Sequence, residues 1–217
     1  MMREKYEQQL KLLKNEMIHM GSLIETAIEM AIEALINGDV EKAREAVKFD
    51  DTIDQTQKEI ETLCMKILLM QQPVASDLRF VSTALKLVTD MERIGDHAAD
   101  ISEITVMLAD SEYEKDLEVI KRMAVETSKM VIKSVEAYVE KNVETAKQVI
   151  DYDDVIDDLF LKEKNDIISL IAANPNKGSE ATDLLMIAKY FERIGDHATN
   201  IAEWALYAVT GDINVIK

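Results

Sequence analysis

Residues Glu92-Arg93-Ile94-Gly95-Asp96-His97-Ala98 recur as Glu192-Arg193-Ile194-Gly195-Asp196-His197-Ala198, seven consecutive identities 100 positions apart. A repeat of this length confines the chain to two copies of one structural unit. A second echo lies upstream: Phe49-Asp50-Asp51-Thr52-Ile53-Asp54 matches Tyr152-Asp153-Asp154-Val155-Ile156-Asp157 at a separation of 103. Ala34 and Val40-Glu41 match Ala137 and Val143-Glu144 at the same 103. The change from 103 to 100 puts a three-residue length difference in the turn between the two motifs, around Pro73 in one copy and Pro175 in the other.

Each copy reads as three helices. Six Gly and two Pro in 217 residues, with aromatics at 5%, leave few of the turn and strand formers that a sheet protein needs. Leu10, Leu13, Met17, Ile24, Ile28, Ala31 and Leu35 step by three, four and seven along a first helix from Met2 to Ile36. Asn37-Gly38 stops it, and Asp39 caps a second helix from Val40 to Gln71, which Pro73 ends. A third starts behind a Ser76 cap and reaches Leu108. Ser111-x-x-Glu114 has the form of a capping box. Ile120, Ala124, Val131, Val135 and Tyr138 mark the fourth helix; the fifth covers Val143 to Ala172 and the sixth Ser179 to Thr210, with Gly211 as its stop. The expected fold class is all-α: two tandem three-helix bundles, residues 1–110 and 111–217, related by pseudo-twofold symmetry. A single six-helix bundle is the structural alternative.

Charge excludes several functions. The net charge is −17, and the 42 acids divide evenly about Asp110, so the whole surface is acidic. Nucleic acid needs basic patches, which makes it an unlikely partner. No apolar run approaches the ~20 residues of a membrane span, the N-terminus shows no secretory pattern, and the lone Cys64 forms no intrachain disulfide. The expected location is the cytoplasm. No phosphate loop, G-x-S-x-G or H-E-x-x-H is present, and no nucleophile–base pair stands out. Met17, Met20, Met30, Met65, Met70 and Cys64 read as core, and His19 as surface.

The acids themselves carry the chemistry. With Glu92 at zero on a helical wheel, Asp96, Asp100 and Glu103 fall within about 80° of it, while Leu87, Ile94, Ala98 and Ile101 fall near 180–240°. The acidic stripe is therefore expected to face away from the core of its own bundle. Gly95 between Glu92 and Asp96 costs ~1 kcal/mol against Ala in a helix, which suggests close approach of something there. Asp50 and Asp54, and Asp153 and Asp157, sit one turn apart on their helices, where like charges repel. Bringing a D-x-x-x-D helix beside an E-x-x-x-D helix gathers four carboxylates, and a hard cation such as iron, manganese, magnesium or calcium makes that favourable. Carboxylates bridge ions, so a multinuclear cluster is within reach. His97 and His197 lie at the stripe's edge as extra ligands or hydrogen-bond partners. Arg93 and Arg193 offer a competing, metal-free neutralisation, and a solvated acidic face is the plainest reading of all.

These strings carry a resemblance. Gln72-Pro73-Val74-Ala75-Ser76-Asp77-Leu78-Arg79 leading into Glu92–His97, and Phe191 through Glu203, resemble the PhoU family of accessory proteins of the phosphate-specific transport system, over essentially the whole chain. The resemblance implies two three-helix bundles whose E(D)-x-x-x-D motifs hold multinuclear metal clusters, iron foremost. Its ligands would be Asp50, Asp54, Glu92, Asp96 and Asp100 in one bundle, and Asp153, Asp157, Glu192, Asp196 and Asn200 in the other. It implies a non-enzymatic regulator that links the phosphate ABC transporter's ATPase subunit to a phosphate-sensing histidine kinase and keeps the phosphate-starvation response off. Membrane association would come only through those partners, for a monomer or a homodimer. The second copy has Asp183-Leu184-Leu185 in place of Asp77-Leu78-Arg79, so a partner contact through Asp77 and Arg79 would exist on one bundle only. The competing functions are a carboxylate-bridged metal oxidase or hydrolase and a metal-free helical scaffold.

Overall fold

A computed structural model describes residues 2–70, 75–108 and 117–216. Six long helices account for nearly all of them: α1 (Met2–Asn37), α2 (Val40–Met70), α3 (Ala75–Met107), α4 (Glu118–Glu140), α5 (Val143–Ala173) and α6 (Gly178–Thr210). Short 3-10 turns cover Pro175–Lys177 and Ile213–Val215, and no strand occurs among the described residues. The expected limits hold to within a residue or two, except that Ser76 lies inside the first turn of α3 rather than capping it. The Ser111–Glu114 box lies outside the described residues.

The two repeats build the same turn from different residues. Gly38 ends α1 and Lys141 ends α4, both left-handed at φ 62° and 57°. Asp39 then accepts from the Lys42 amide at 3.0 Å, and Asn142 accepts from the Glu144 and Thr145 amides at 3.1 Å each. Each cap satisfies amides that the first helical turn leaves without partners.

Within each repeat the three helices pack on one another; between repeats, α3 packs on α6 and α1 on α4. The buried positions explain the arrangement. On α2 they run through Ala43, Ala46, Ile53, Thr56, Ile60, Cys64 and Ile67, an arc of roughly 140°. On α3 they add Thr83, Gly95, His97, Ser102 and Thr105 to the apolar stripe, widening the arc to roughly 200°. A helix with so broad a buried face has neighbours on two sides. The apolar residues form one continuous core from Leu13 and Met17 of α1 through Leu87 and Ile94 of α3 to Phe191 and Ile201 of α6. The two three-helix bundles thus share a core instead of keeping one each. Met17 and Met20 belong to it as expected, whereas Met65 is exposed because it projects from the outer side of α2.

Candidate functional site

Gly95 positions the first group of carboxylates. A Cβ there would lie 2.8 Å from Asp50 Oδ1 and 3.0 Å from Ile53, so the missing side chain is the space in which α2 closes on α3. The Asp50 carboxylate lies against the Gly95 position, on the turn that carries Glu92 and Asp96. Asp50 Oδ1 is fully buried with no hydrogen-bond partner. Burial, then the charges of Asp96, Asp54 and Glu92, push the Asp50 carboxyl up to about 6. Glu92 is raised for the same reasons, burial first and Asp96 next, with Arg93 working against it. The acids are therefore not turned outward as the wheel suggested: Glu92 keeps 16% of its side-chain surface and Asp96 32%. The core-facing stripe of α3 is so wide that its edge reaches the acidic face, and α2 covers that edge.

The second repeat gathers Asp153, Asp157, Glu192 and Asp196 between α5 and α6. Burial foremost, with Glu192 and Asp153 adding to it, pushes Asp196 up to about 6. Asp153 and Asp157 are raised, each chiefly by burial. Here a lysine intrudes. Lys189 Nζ is bonded to Glu192 and lies 5.3 Å over the Phe160 ring. Arg93 plays the corresponding part in the first repeat, donating to Asp96 at 2.7 Å and meeting Glu92 at 3.5 Å.

The donor chemistry of both groups, oxygen ligands only and mutually repelling, fits a hard cation, and in the first group one carboxylate oxygen is buried and unpartnered. Among the described residues no three His, Cys, Asp or Glu side chains are arranged to hold a metal ion.

Asp100, Asn200 and both histidines go elsewhere. They meet at the seam of α3 and α6, where the His97 and His197 rings lie 5.5 Å apart. His197 Nδ1 is 2.9 Å from Asp90 Oδ1, which also accepts from Asn200 at 3.3 Å. His97 Nδ1 is 3.4 Å from Asp100 and its ring is 5.3 Å from Tyr190. Tyr190 stands 100 positions after Asp90, so the cluster crosses the pseudo-twofold, each repeat supplying a partner to the other's histidine. Burial lowers the His97 pKa, with the Asp100 hydrogen bond opposing it. His97 is thus a buried seam residue and not the stripe-edge group expected. Glu103 and Glu203 also part company, the first exposed and the second buried. Asp90 escaped the sequence reading, although its seven-residue spacing from His97 puts both on one helical face. Lys189, three residues before Glu192, was legible by the same rule.

Arg79 is not free to form a contact surface with Asp77. Arg79 Nε donates to the Ala208 carbonyl at 3.0 Å and Nη2 to Val209 at 3.5 Å, closing the C-terminus of α6. Gly211 permits this: its φ is 74°, and a Cβ there would lie 2.7 Å from Arg79 Nη1. Nearby, Phe80 stacks on Tyr138 at 4.4 Å, and the Tyr138 hydroxyl donates to the Phe80 carbonyl at 2.6 Å. Arg79 and Phe80 form a clasp between the repeats.

Fold and site together define a two-repeat, six-helix protein with an acidic cluster on each repeat and a shared histidine seam. The PhoU domain matches residues 17–105 and again 120–205, and the chain belongs to the PhoU family, accessory and regulatory proteins of phosphate transport. A phosphate-specific transport system accessory protein PhoU homolog from Clostridium acetobutylicum is 38% identical over 212 residues, 97% of either chain. A homolog of the same description from Aquifex aeolicus is 36% identical over 205 residues, covering 94% of this chain and 93% of that one. The crystal structure of PhoU from Pseudomonas aeruginosa superposes with a TM-score of 0.90 at 30% identity, over 95% of this chain and 100% of the other. That of the phosphate transport system regulatory protein PhoU from Streptococcus pneumoniae gives 0.87 at 28%, over 96% and 98%. No helix among the described residues is long and apolar enough to cross a membrane.

Proposed function

We propose that this protein is a non-catalytic cytoplasmic adaptor that links the phosphate transporter's ATPase subunit to a phosphate-sensing histidine kinase and holds the phosphate-starvation response off. Full-length similarity to transport accessory proteins supports the regulatory part. Deletion is expected to derepress phosphate-starvation genes in phosphate-rich medium; unchanged repression would remove the reading.

In this reading each acidic cluster holds hard metal ions, iron foremost. Asp50, Asp54, Glu92 and Asp96 would serve the first repeat, and Asp153, Asp157, Glu192 and Asp196 the second. Bound metal would supply positive charge that joins α2 to α3 and α5 to α6. The observation that carries this is the buried, unpartnered Asp50 Oδ1 among three further carboxylates. Leaving such an oxygen unsatisfied costs ~1–3 kcal/mol, which a cation would recover. The test is elemental analysis of protein purified without chelator, beside a Glu92→Ala/Asp96→Ala/Glu192→Ala/Asp196→Ala variant. Several equivalents of one hard metal in the parent and almost none in the variant are expected. Near-zero metal in both would leave the clusters as half-buried acids.

A further inference from the structure

The two repeats also differ where neither cluster nor seam is involved. Along the outer side of α4 and α5 runs one groove, made of two adjoining cavities of about 510 and 500 Å³ that share Glu126. Its lining side chains follow one stripe of each helix: Arg122, Glu126, Lys129 and Lys133 on α4, and Gln148, Tyr152, Leu159 and Lys162 on α5. Five cations (Lys121, Arg122, Lys129, Lys133 and Lys162) line it against three carboxylates, in a chain whose net charge is −17. At the matching positions, 103 earlier, the first repeat has Ile18, His19, Thr26, Met30 and Glu59, with no Lys or Arg among them. The floor is apolar: Val125 is 52% exposed and Tyr152 36%, beside Leu159 and Val149.

We infer that the α4–α5 groove is a docking site for an acidic amphipathic helix of a partner protein. Charge complementarity selects the occupant. The chain as a whole is acidic, and this groove sets five cations beside exposed apolar side chains, against two, Arg44 and Lys48, in the cavity that holds Val106 and Met107. From Glu118 to Lys133 the groove runs about 22 Å, the length of a helix of about 15 residues. The paired cavities favour a ridge of side chains over a flat lipid surface, which would leave the floor uncovered. The inference rests on the adaptor reading and names the surface by which one of its partners would be held.

The probe is a labelled synthetic helix of about 16 residues, with Leu at i, i+3, i+4 and i+7 and Glu on its flanks. It is titrated by fluorescence anisotropy against the full chain, an R122E/K133E variant and an H19E variant that places a glutamate at the first-repeat position matching Arg122. Arg122 and Lys133 are exposed, so the fold is expected to survive, which circular dichroism checks. The expected result is saturable, salt-sensitive binding, weakened about tenfold by R122E/K133E and unchanged by H19E. Absence of binding, equal affinity for all three proteins, or preference for a Lys-for-Glu peptide overturns the inference. Binding of anionic phospholipid vesicles that needs Arg122 and Lys133, with the peptide unbound, overturns it in favour of a lipid surface. Retention of the purified transporter ATPase subunit separates the two readings. Equal retention by parent and R122E/K133E removes the groove and leaves the adaptor. No retention by either, with peptide binding intact, removes the adaptor and leaves the groove.

Discussion

At residue scale, the Asp50–Gly95 contact decides both packing and charge. Gly95→Ala adds a methyl into space held by Asp50 Oδ1 and Ile53, so a steric loss of ~1–3 kcal/mol outweighs the ~1 kcal/mol gained in helix propensity. Gly195→Ala meets only Ile156, at 3.3 Å, and is expected within ~1 kcal/mol of the parent. Urea denaturation of the two variants checks the order, and equal losses would refute it. Asp50 also sets a pH dependence in chelator-treated protein. Its folded pKa of about 6 exceeds the ordinary 3.8, so between those values the folded state holds a proton that the unfolded chain has released. This group therefore stabilises the fold increasingly as pH falls through 6 and opposes it above. Asp50→Asn stays neutral throughout: it should be more stable than the parent at about pH 7.5, with the gap closing towards about pH 5. Comparing the two proteins cancels His97, whose lowered pKa acts in the opposite direction as pH falls. A gap that stays constant with pH would sink the assignment. The ligand residues were legible because two copies repeat them at fixed spacing. Their partial burial was not, since a helical wheel gives the direction of a side chain but not which helix covers it.

At the scale of elements, helix limits followed from caps and stops that act locally: Gly38, Asp39, Asn142 and Gly211 each lie beside the residues they terminate. What the sequence concealed is long-range. Arg79 reads as a conspicuous charge at the start of α3, free to meet a partner, yet it spends its hydrogen bonds on carbonyls about 130 residues away. Those carbonyls belong to the last turn of α6, which a helix cannot satisfy from within, and a cation there also meets the negative end of the helix dipole. Arg79→Ala is expected to cost ~1–2 kcal/mol, and Arg79→Lys somewhat less because it keeps charge but loses the fork. Hydrogen exchange should show faster exchange confined to the last turn of α6, with the carboxylate clusters unaffected. Unchanged exchange there would return Arg79 to the surface role first expected.

At the scale of the whole molecule, the duplication was plain in the sequence, but a duplicated motif is not a duplicated site. Lys189 occupies a place where the first repeat has Thr89, and Phe160, which lies under its ammonium, corresponds to Gln57. The second cluster therefore carries a half-exposed cation that is bonded to Glu192 and opposes the rise that burial gives the pKa of Asp157 and Asp196. A metal ion entering there must displace Lys189 from Glu192; in the first cluster it must displace the more exposed Arg93 from Asp96, but it gains the buried, unpartnered Asp50 Oδ1. Under the metal reading the two repeats are unequal, the first binding more tightly. Titration with manganese, read by water-proton relaxation, should resolve two classes of site. The tighter class should vanish in Asp50→Asn/Asp54→Asn and the weaker in Asp153→Asn/Asp157→Asn. Lys189→Thr should strengthen the weaker class by about tenfold, a typical effect of changing a group that contacts a ligand. Two classes that stay equal in the parent, or a weaker class indifferent to Lys189→Thr, would show that the ammonium does not compete with the ion.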